Sequence, residues 1–545
     1  SAILTCGKAD RLVEALGMIE TLGVRMNLSL ETVYLLDPGA EYVRIRTDIF
    51  IDNRWRDSVD PYTLGGVGPF ITDGLGVLDV LTGDDLLPPE EPHIWRPGFL
   101  AGDFLLMGKK VSIFAAGHGF DFPNTFQRLF DDGKDILGTP QSADAVVGVG
   151  DGVSYAYGSQ DGPTIVPIYT GEFTGAFTHG MRCDNLDTTC IDSETRPLRY
   201  ERLLTVGRGD VASAMAPLYA LRGEATGTLA GHVYDRRTAR PISGAEVFVL
   251  RDPWAADSTH EFPATADRLF ELLVGDLGNP GVVTQLGTDL PDDAVPDGSF
   301  SGPVSPGDYF VVVRAAGRAL STPARVRVTA GGTTEASLAA GAPGRVDVEV
   351  FDETGSASPA KLTFVGPIGD GDPCGPGAAV AHLTAQSSAR PLPLGGGEIG
   401  DRIAAISFTT DGSASVDLEP GRYDLWVSRG FEYSVDRRCV DVPAYDAARV
   451  NAAVRRQVST TGWVAGDFHL HGFHSFDAET TYEQRAVSAS AEGVEVLAMT
   501  DHDVITDAGA SVEALGLRHR LLAVAGEEVT PIETGHLIGF PLRYD

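Results

Sequence analysis

Of the twelve histidines in this 545-residue chain, six lie beyond residue 460: His469, His471, His474, His502, His519 and His536. An even spread would put far fewer there. Neutral imidazole is a common ligand for zinc and similar transition metals, so the clustering marks a candidate metal site. Spacing sharpens it. Along WVAGDFHLHG a strand puts Asp467, His469 and His471 on one face and turns Phe468 and Leu470 the other way, into apolar packing. Two imidazoles at neighbouring same-face positions can hold one ion. Further donors follow in short groups: Asp501, His502 and Asp503 in TDHD, Glu527 and Glu528 in GEEVT, and His536 in GHLIGF.

The elements that must position these groups alternate. GVEVLAMTDHD (493–503) and LLAVAGEEVT (521–530) are apolar strands that end in the candidate donors, and GHLIGF (535–540) is a third. Between them TYEQRAVSASAEG and TDAGASVEALGLRHR have helical character. The order is βαβαβ, with each donor at or just past the carboxyl end of a strand, where functional groups converge in parallel α/β folds.

DFHLH, TDHD, GEEVT and GHLIGF together resemble the successive early motifs of the PHP (polymerase and histidinol phosphatase) superfamily of metallohydrolases. More narrowly they resemble a carbaryl-hydrolase-like branch in which sandwich domains precede the PHP domain. The resemblance implies a distorted α/β barrel holding up to three divalent transition metals, zinc, manganese or iron. By position it implies His469 and His471 as ligands of a first ion, Asp477 and His502 as ligands of another, Glu528 as a carboxylate bridging two ions, and His536 as a ligand of the second. The reaction implied is attack by metal-activated water on a phosphoester, or on an ester or carbamate bond of a small-molecule substrate, with Glu528 and Asp501 as catalytic groups. Asp501 would orient a histidine. The family's G-x-E spacing favours Glu528 over Glu527. The register of His474 is open, and His519, between Arg518 and Arg520, reads as solvated or helix-terminal. The family's remaining ligands would lie past Asp545. Either a longer protein completes the barrel, or this segment is structural.

Upstream, residues 1–222 read as a large β-sandwich. ETVYLLDPG and EYVRIRTDIFID (31–52) form two strands joined at Asp37, Pro38 and Gly39, and VSIFAAG (111–117) and PTIVPIYTG (163–171) are similar runs. ADRLVEALGMIETLG (9–23) has helical spacing, and the glycine-rich GVGDGV (148–153) is a hairpin turn. In residues 223–342, GTLAGHVYDRRTARPISGAEVFVL, with Gly231, Pro241, Gly244 and Ala245, resembles the carboxypeptidase regulatory-like domain, a small noncatalytic sandwich. Residues 343–458 repeat the pattern: LEPGRYDLWVSRG echoes VSPGDYFVVVRAAG, each a Pro-Gly-x-Tyr turn feeding a strand. The expected architecture is multidomain and mainly β, a large sandwich plus two small prealbumin- or Ig-like sandwiches, followed over 459–545 by a partial α/β PHP barrel.

Bulk properties exclude other classes. A formal charge of −34 without a Lys/Arg-rich stretch argues against nucleic acid, whose phosphates need a positive field. No apolar run is long enough for a membrane span. Five cysteines form no C-x-x-C pair; Cys183 with Cys190 and Cys374 with Cys439 are candidate disulfides, with free thiols as the alternative. Disulfides would suit an exported protein, bacterial in type. No nucleophile elbow, phosphate-binding loop or H-E-x-x-H helix occurs. The leading expectation is a metal-dependent hydrolase. The second is an exported or cell-surface β-rich binding or assembly protein whose PHP-like segment is incomplete and inactive, with self-association or a surface partner engaged through its sandwiches.

Overall fold

Strict alternation of buried and open residues along Gly227–Asp235 and Gly344–Phe351 marks strands with one face in a core. A computed structural model describes residues 198–543 apart from 258–259, 261, 278–280, 291–295, 369–373, 377–402, 476–477, 479 and 531–534. Before these it describes 3–6, 28–51, 70–72, 99–102, 104–107, 112–116, 141–150, 152–159, 164–169, 174–177 and 182–183. The expected helix over 9–23, Cys190 and Asp477 lie outside the described residues.

Leu28–Leu35 and Tyr42–Ile51 pair antiparallel through a turn in which Gly39 takes φ +80°. They belong to a seven-stranded sheet that includes Leu198–Gly207, Ser154–Ser159 and Ala145–Val149. GVGDGV joins the last two as a hairpin. Helix α1 (Val211–Arg222) follows. Its N-cap Asp210 accepts the Ser213 N–H at 2.8 Å and the Gly287 N–H at 3.0 Å, which fastens the helix to the next unit. Met215, Leu218 and Tyr219 pack between Val147 and Leu203 of this sheet and Phe248, Leu250, Phe310 and Val312 beyond it. One core therefore runs across the boundary.

Two sandwiches of identical wiring come next. The first sets Ser299–Val304, Gly227–Asp235 and Thr333–Ala340 against Val282–Gly287, Glu246–Arg251, Gly307–Arg314 and Ala324–Val328. The second sets Ser413–Leu418, Gly344–Phe351 and Ala447–Ala453 against Ile403–Thr409, Ala360–Ile368, Gly421–Ser428 and Asp436–Val442. In each, the central strand of the three-stranded sheet pairs parallel with the last. The Pro-Gly-x-Tyr turns explain a shared detail: Tyr309 Oη donates to the Ser305 carbonyl at 2.8 Å, and Tyr423 Oη to the Glu419 carbonyl at 2.9 Å. In the first sandwich Phe248, Leu250, Phe310 and Val312 face α1 and α2 (Ala266–Leu277), while Val247, Val249, Val311 and Val313 fill the sandwich, so these strands are apolar throughout. A Cys374–Cys439 disulfide ties the second sandwich to the segment after Ala360–Ile368.

The last unit has parallel strands Gly466–Leu470, Val496–Met499 and Leu522–Val524, backed by α3 (Tyr482–Ala491) and α4 (Gly509–Ala514). Thr481 and Gln484 form a capping box at the start of α3. Ala486, Ala489, Leu497, Met499 and Val512 make its core. The expected partial PHP barrel is corrected here. Past Leu522–Val524, Glu528 makes one parallel bridge to His502 and Glu527–Val529 then pairs antiparallel with Leu537–Gly539; among the described residues no further strand joins Leu522–Val524 in the parallel sheet. Among the described residues the sheet stays open, with Leu522 and Leu537 61% and 62% exposed. The unit is seated on the second sandwich at Gly430, where a Cβ would meet the Glu492 carbonyl oxygen at 2.0 Å, and through Lys361–Glu492 at 2.8 Å.

Deleting the Tyr423 hydroxyl as Tyr423→Phe should cost about 1 kcal/mol in chemical denaturation. Asp235 offers a pH test. Burial raises its pKa and is the largest single influence, but bonds from Arg318, Thr238 and Arg237 outweigh it and hold the carboxyl at about 2, below its ordinary 3.8. Its contribution is thus complete above the ordinary value and is lost as pH falls from about 4 through about 2. Asp235→Asn should remove on the order of 2 kcal/mol at neutral pH and flatten stability across that acid window.

Candidate metal centre

Two strand ends and the closing hairpin deliver their donors to one rim. His469 lies in Gly466–Leu470, with His471 just past its end; His502 follows Val496–Met499; Glu528 and His536 come from the two arms of the hairpin. Glu528 sits at the centre and is 2% exposed. Its Oε2 is 3.0 Å from His469 Nε2 and 2.8 Å from His471 Nε2; its Oε1 is 2.7 Å from His536 Nδ1. His502 Nδ1 stands 3.7 Å from Oε2. Burial pushes the Glu528 carboxyl up and is the largest influence, but hydrogen bonds from His469 and His536 and the proximity of His502 hold it below its ordinary range.

The donors fall into two sets that share this carboxylate: His469, His471 and Glu528, and His502, Glu528 and His536, with the ligand atoms in each set within 4.8 Å of one another. Imidazole nitrogen with carboxylate oxygen suits zinc, manganese or iron, and a carboxylate common to both sets suits a bridge between neighbouring cations while reducing their repulsion.

Hydroxyls hold the two half-buried histidines. Ser475 Oγ lies 3.1 Å from His471 Nδ1 and accepts the His502 N–H at 3.2 Å. Thr530 Oγ1 lies 2.6 Å from His502 Nδ1 and 3.0 Å from the Glu528 carbonyl oxygen, which ties the ring to the strand that carries the carboxylate. Asp503, at φ +55°, donates its N–H to the same carbonyl and accepts the Thr530 N–H at 2.8 Å. Arg485 of α3 donates to the His471 carbonyl at 2.7 Å.

Of the residues singled out from sequence, His469, His471, His502, Glu528 and His536 meet. Asp501 lies beside them with a different set of partners: it accepts from the Gly472 N–H at 2.5 Å, Tyr482 Oη at 2.7 Å and Thr506 Oγ1 at 2.5 Å. It pins the turn after His471 and bonds no imidazole through these contacts. Asp467 turns onto its own strand, accepting the His469 N–H at 3.2 Å. Phe468, expected in apolar packing, is 45% exposed and stacks on Phe540. His474 contacts Phe473 and Tyr482, His519 caps Gly516, and Glu527 lies in neither donor set. Ser475 and Thr530 escaped sequence reasoning. Their only signal was a hydroxyl a few residues from a ligand.

No family model matches the chain, and no curated protein matches it. With no family match and no α/β barrel among the described residues, the PHP, carbaryl-hydrolase-like and carboxypeptidase regulatory-like assignments are withdrawn, and the hydrolase and phosphoesterase readings that rested on them go too. Among solved structures, the TIE protein of Bacillus anthracis matches at 12% identity over 61% of this chain and 46% of its own, with a TM-score of 0.15. This chain thus spans about half of that protein. The minor pilin GBS52 of Streptococcus agalactiae matches at 12% identity over 43% of this chain and 97% of its own, TM-score 0.23. The shaft pilin SpaA of Lactobacillus rhamnosus GG matches at 9% over 43% and 98%, TM-score 0.23. Scores of this size assign this chain neither a fold nor a role. What its own sheets show is a mainly β, multidomain protein, and none of its described helices is long and apolar enough to cross a membrane.

Asp501 is fully buried and satisfies three donors, so Asp501→Ala should destabilise the last unit by about 3 kcal/mol. Local hydrogen exchange at Gly472 and Thr506 is the readout.

Proposed function

We propose that this chain is a β-rich binding or assembly protein, working outside the reducing cytoplasm, whose last unit holds divalent transition metal ions at Glu528. The observation that carries the metal reading is one buried carboxylate whose two oxygens each face imidazole nitrogen, in two donor sets of three groups. His469, His471 and Glu528 would hold one ion, and His502, Glu528 and His536 a second. Such an ion would supply positive charge to the buried carboxylate and fasten the hairpin to the parallel sheet, so that binding adds to folding stability. The Cys374–Cys439 disulfide supports an oxidising location. Two like-wired sandwiches and a further set of sheets support binding through the sandwiches, to a second copy or to a surface partner.

Zinc titrated into chelator-treated protein should bind at two ions per chain, one for each donor set. His469→Ala is expected to lose one ion and Glu528→Ala both, with His519→Ala behaving as the parent. Full zinc uptake by a folded Glu528→Ala variant would rule the centre out.

A further inference from the structure

Each donor set contains one half-buried histidine, His471 in the first and His502 in the second, and one buried hydroxyl touches both residues. Ser475 is fully buried, and its Oγ lies against the ring nitrogen of His471 that points away from Glu528 while accepting the backbone N–H of His502. His471 already turns Nε2 toward the carboxylate, at 2.8 Å from Oε2. For Nε2 to give its lone pair to an ion, a neutral ring must carry its proton on Nδ1, and that proton needs an acceptor. A serine oxygen has two lone pairs, enough for the His502 N–H and His471 Nδ1–H together.

We propose that Ser475 is a positioning residue that holds His471 in the Nδ1–H tautomer and ties it to the backbone of His502, so that the two ion sites are set by one side chain. The inference rests on the metal reading above. It differs in what it predicts: loss of one hydroxyl that ligates nothing weakens both ions.

The test compares Ser475→Ala with Ser490→Ala in the full chain. Ser490 is a buried serine of α3 whose Oγ has no hydrogen-bond partner among the described residues, so its removal deletes a hydroxyl in the same unit without touching the cluster. Zinc affinity by competition with a chelator should fall about ten- to a hundredfold at both sites in Ser475→Ala and stay unchanged in Ser490→Ala. In the zinc-loaded protein, nitrogen-15 NMR should show His471 protonated at Nδ1, with that proton exchanging at least about tenfold faster in Ser475→Ala once its buried acceptor is gone. The metal-free protein carries a separate readout: the His502 amide should be protected from exchange in the parent and lose that protection in Ser475→Ala. Should the parent take up no zinc, the metal reading fails, and retained amide protection in Ser475→Ala would then overturn the Ser475 role as well. With zinc bound, equal affinities and an unchanged Nδ1–H signal in a folded Ser475→Ala protein would overturn it directly.

Discussion

A carboxylate taken out of water must be matched by donors or cations, because an uncompensated buried charge is among the costliest things a fold can contain. Glu528 imposes that constraint on the last unit. Its position on the hairpin Glu527–Val529/Leu537–Gly539 forces the chain to return toward the strand ends, and the return brings His536 to Oε1 while His469 and His471 approach Oε2. The hairpin is short and its outer residues are open, so pairing between its own strands gives it little to rest on. Contacts at Glu528 and the Asp503–Thr530 latch connect it to the loop after Val496–Met499.

The precision of that arrangement depends on what stands behind it. Asp501 stabilises the turn carrying His471 from below, through Gly472, Tyr482 and Thr506, and Arg485 fixes the His471 carbonyl from the helix side. Helix α3 in turn abuts the second sandwich, where the close approach of Gly430 to the Glu492 carbonyl leaves no room for a side chain. Sites built on packed elements hold their geometry better than sites on free loops. The sandwiches thus serve as a mount, and the core shared through α1 extends it toward the first sheet.

Sequence reading reached this site through local spacing. H-x-H on a strand, T-D-H-D after an apolar run and G-x-E after another are each determined within a few residues, and the strands and helices that frame them have short-range signals of their own. The Pro-Gly-x-Tyr turns were legible for the same reason: a tyrosine hydroxyl reaching four residues back is a local device. Closure of a sheet into a barrel has no such signature. Whether Leu522–Val524 gains a further parallel neighbour depends on what the chain does next, and GEEVT followed by GHLIGF is compatible with a strand of either sense. Family resemblance supplied the barrel, and the three-stranded parallel sheet, followed by the antiparallel pair of Glu527–Val529 with Leu537–Gly539, denied it. Asp501 shows the same limit at the scale of one residue, since its sequence position beside His502 says nothing of the partners it finds at Gly472 and Tyr482.

The four histidines around Glu528 differ in a way that bears on how the centre would work. His471 and His502 have side chains 14% and 5% exposed, whereas those of His469 and His536 are 56% and 51% exposed. Each donor set therefore pairs one ring held by a hydroxyl contact with one ring on the solvent side. An ion held by three protein groups has coordination left to fill, since zinc commonly takes four ligands. The side that carries His469 and His536 is where water or an outside donor can reach the cluster. Rigidity on the inner wall and access on the outer one follow from the same placement of a single buried carboxylate between a parallel sheet and a hairpin.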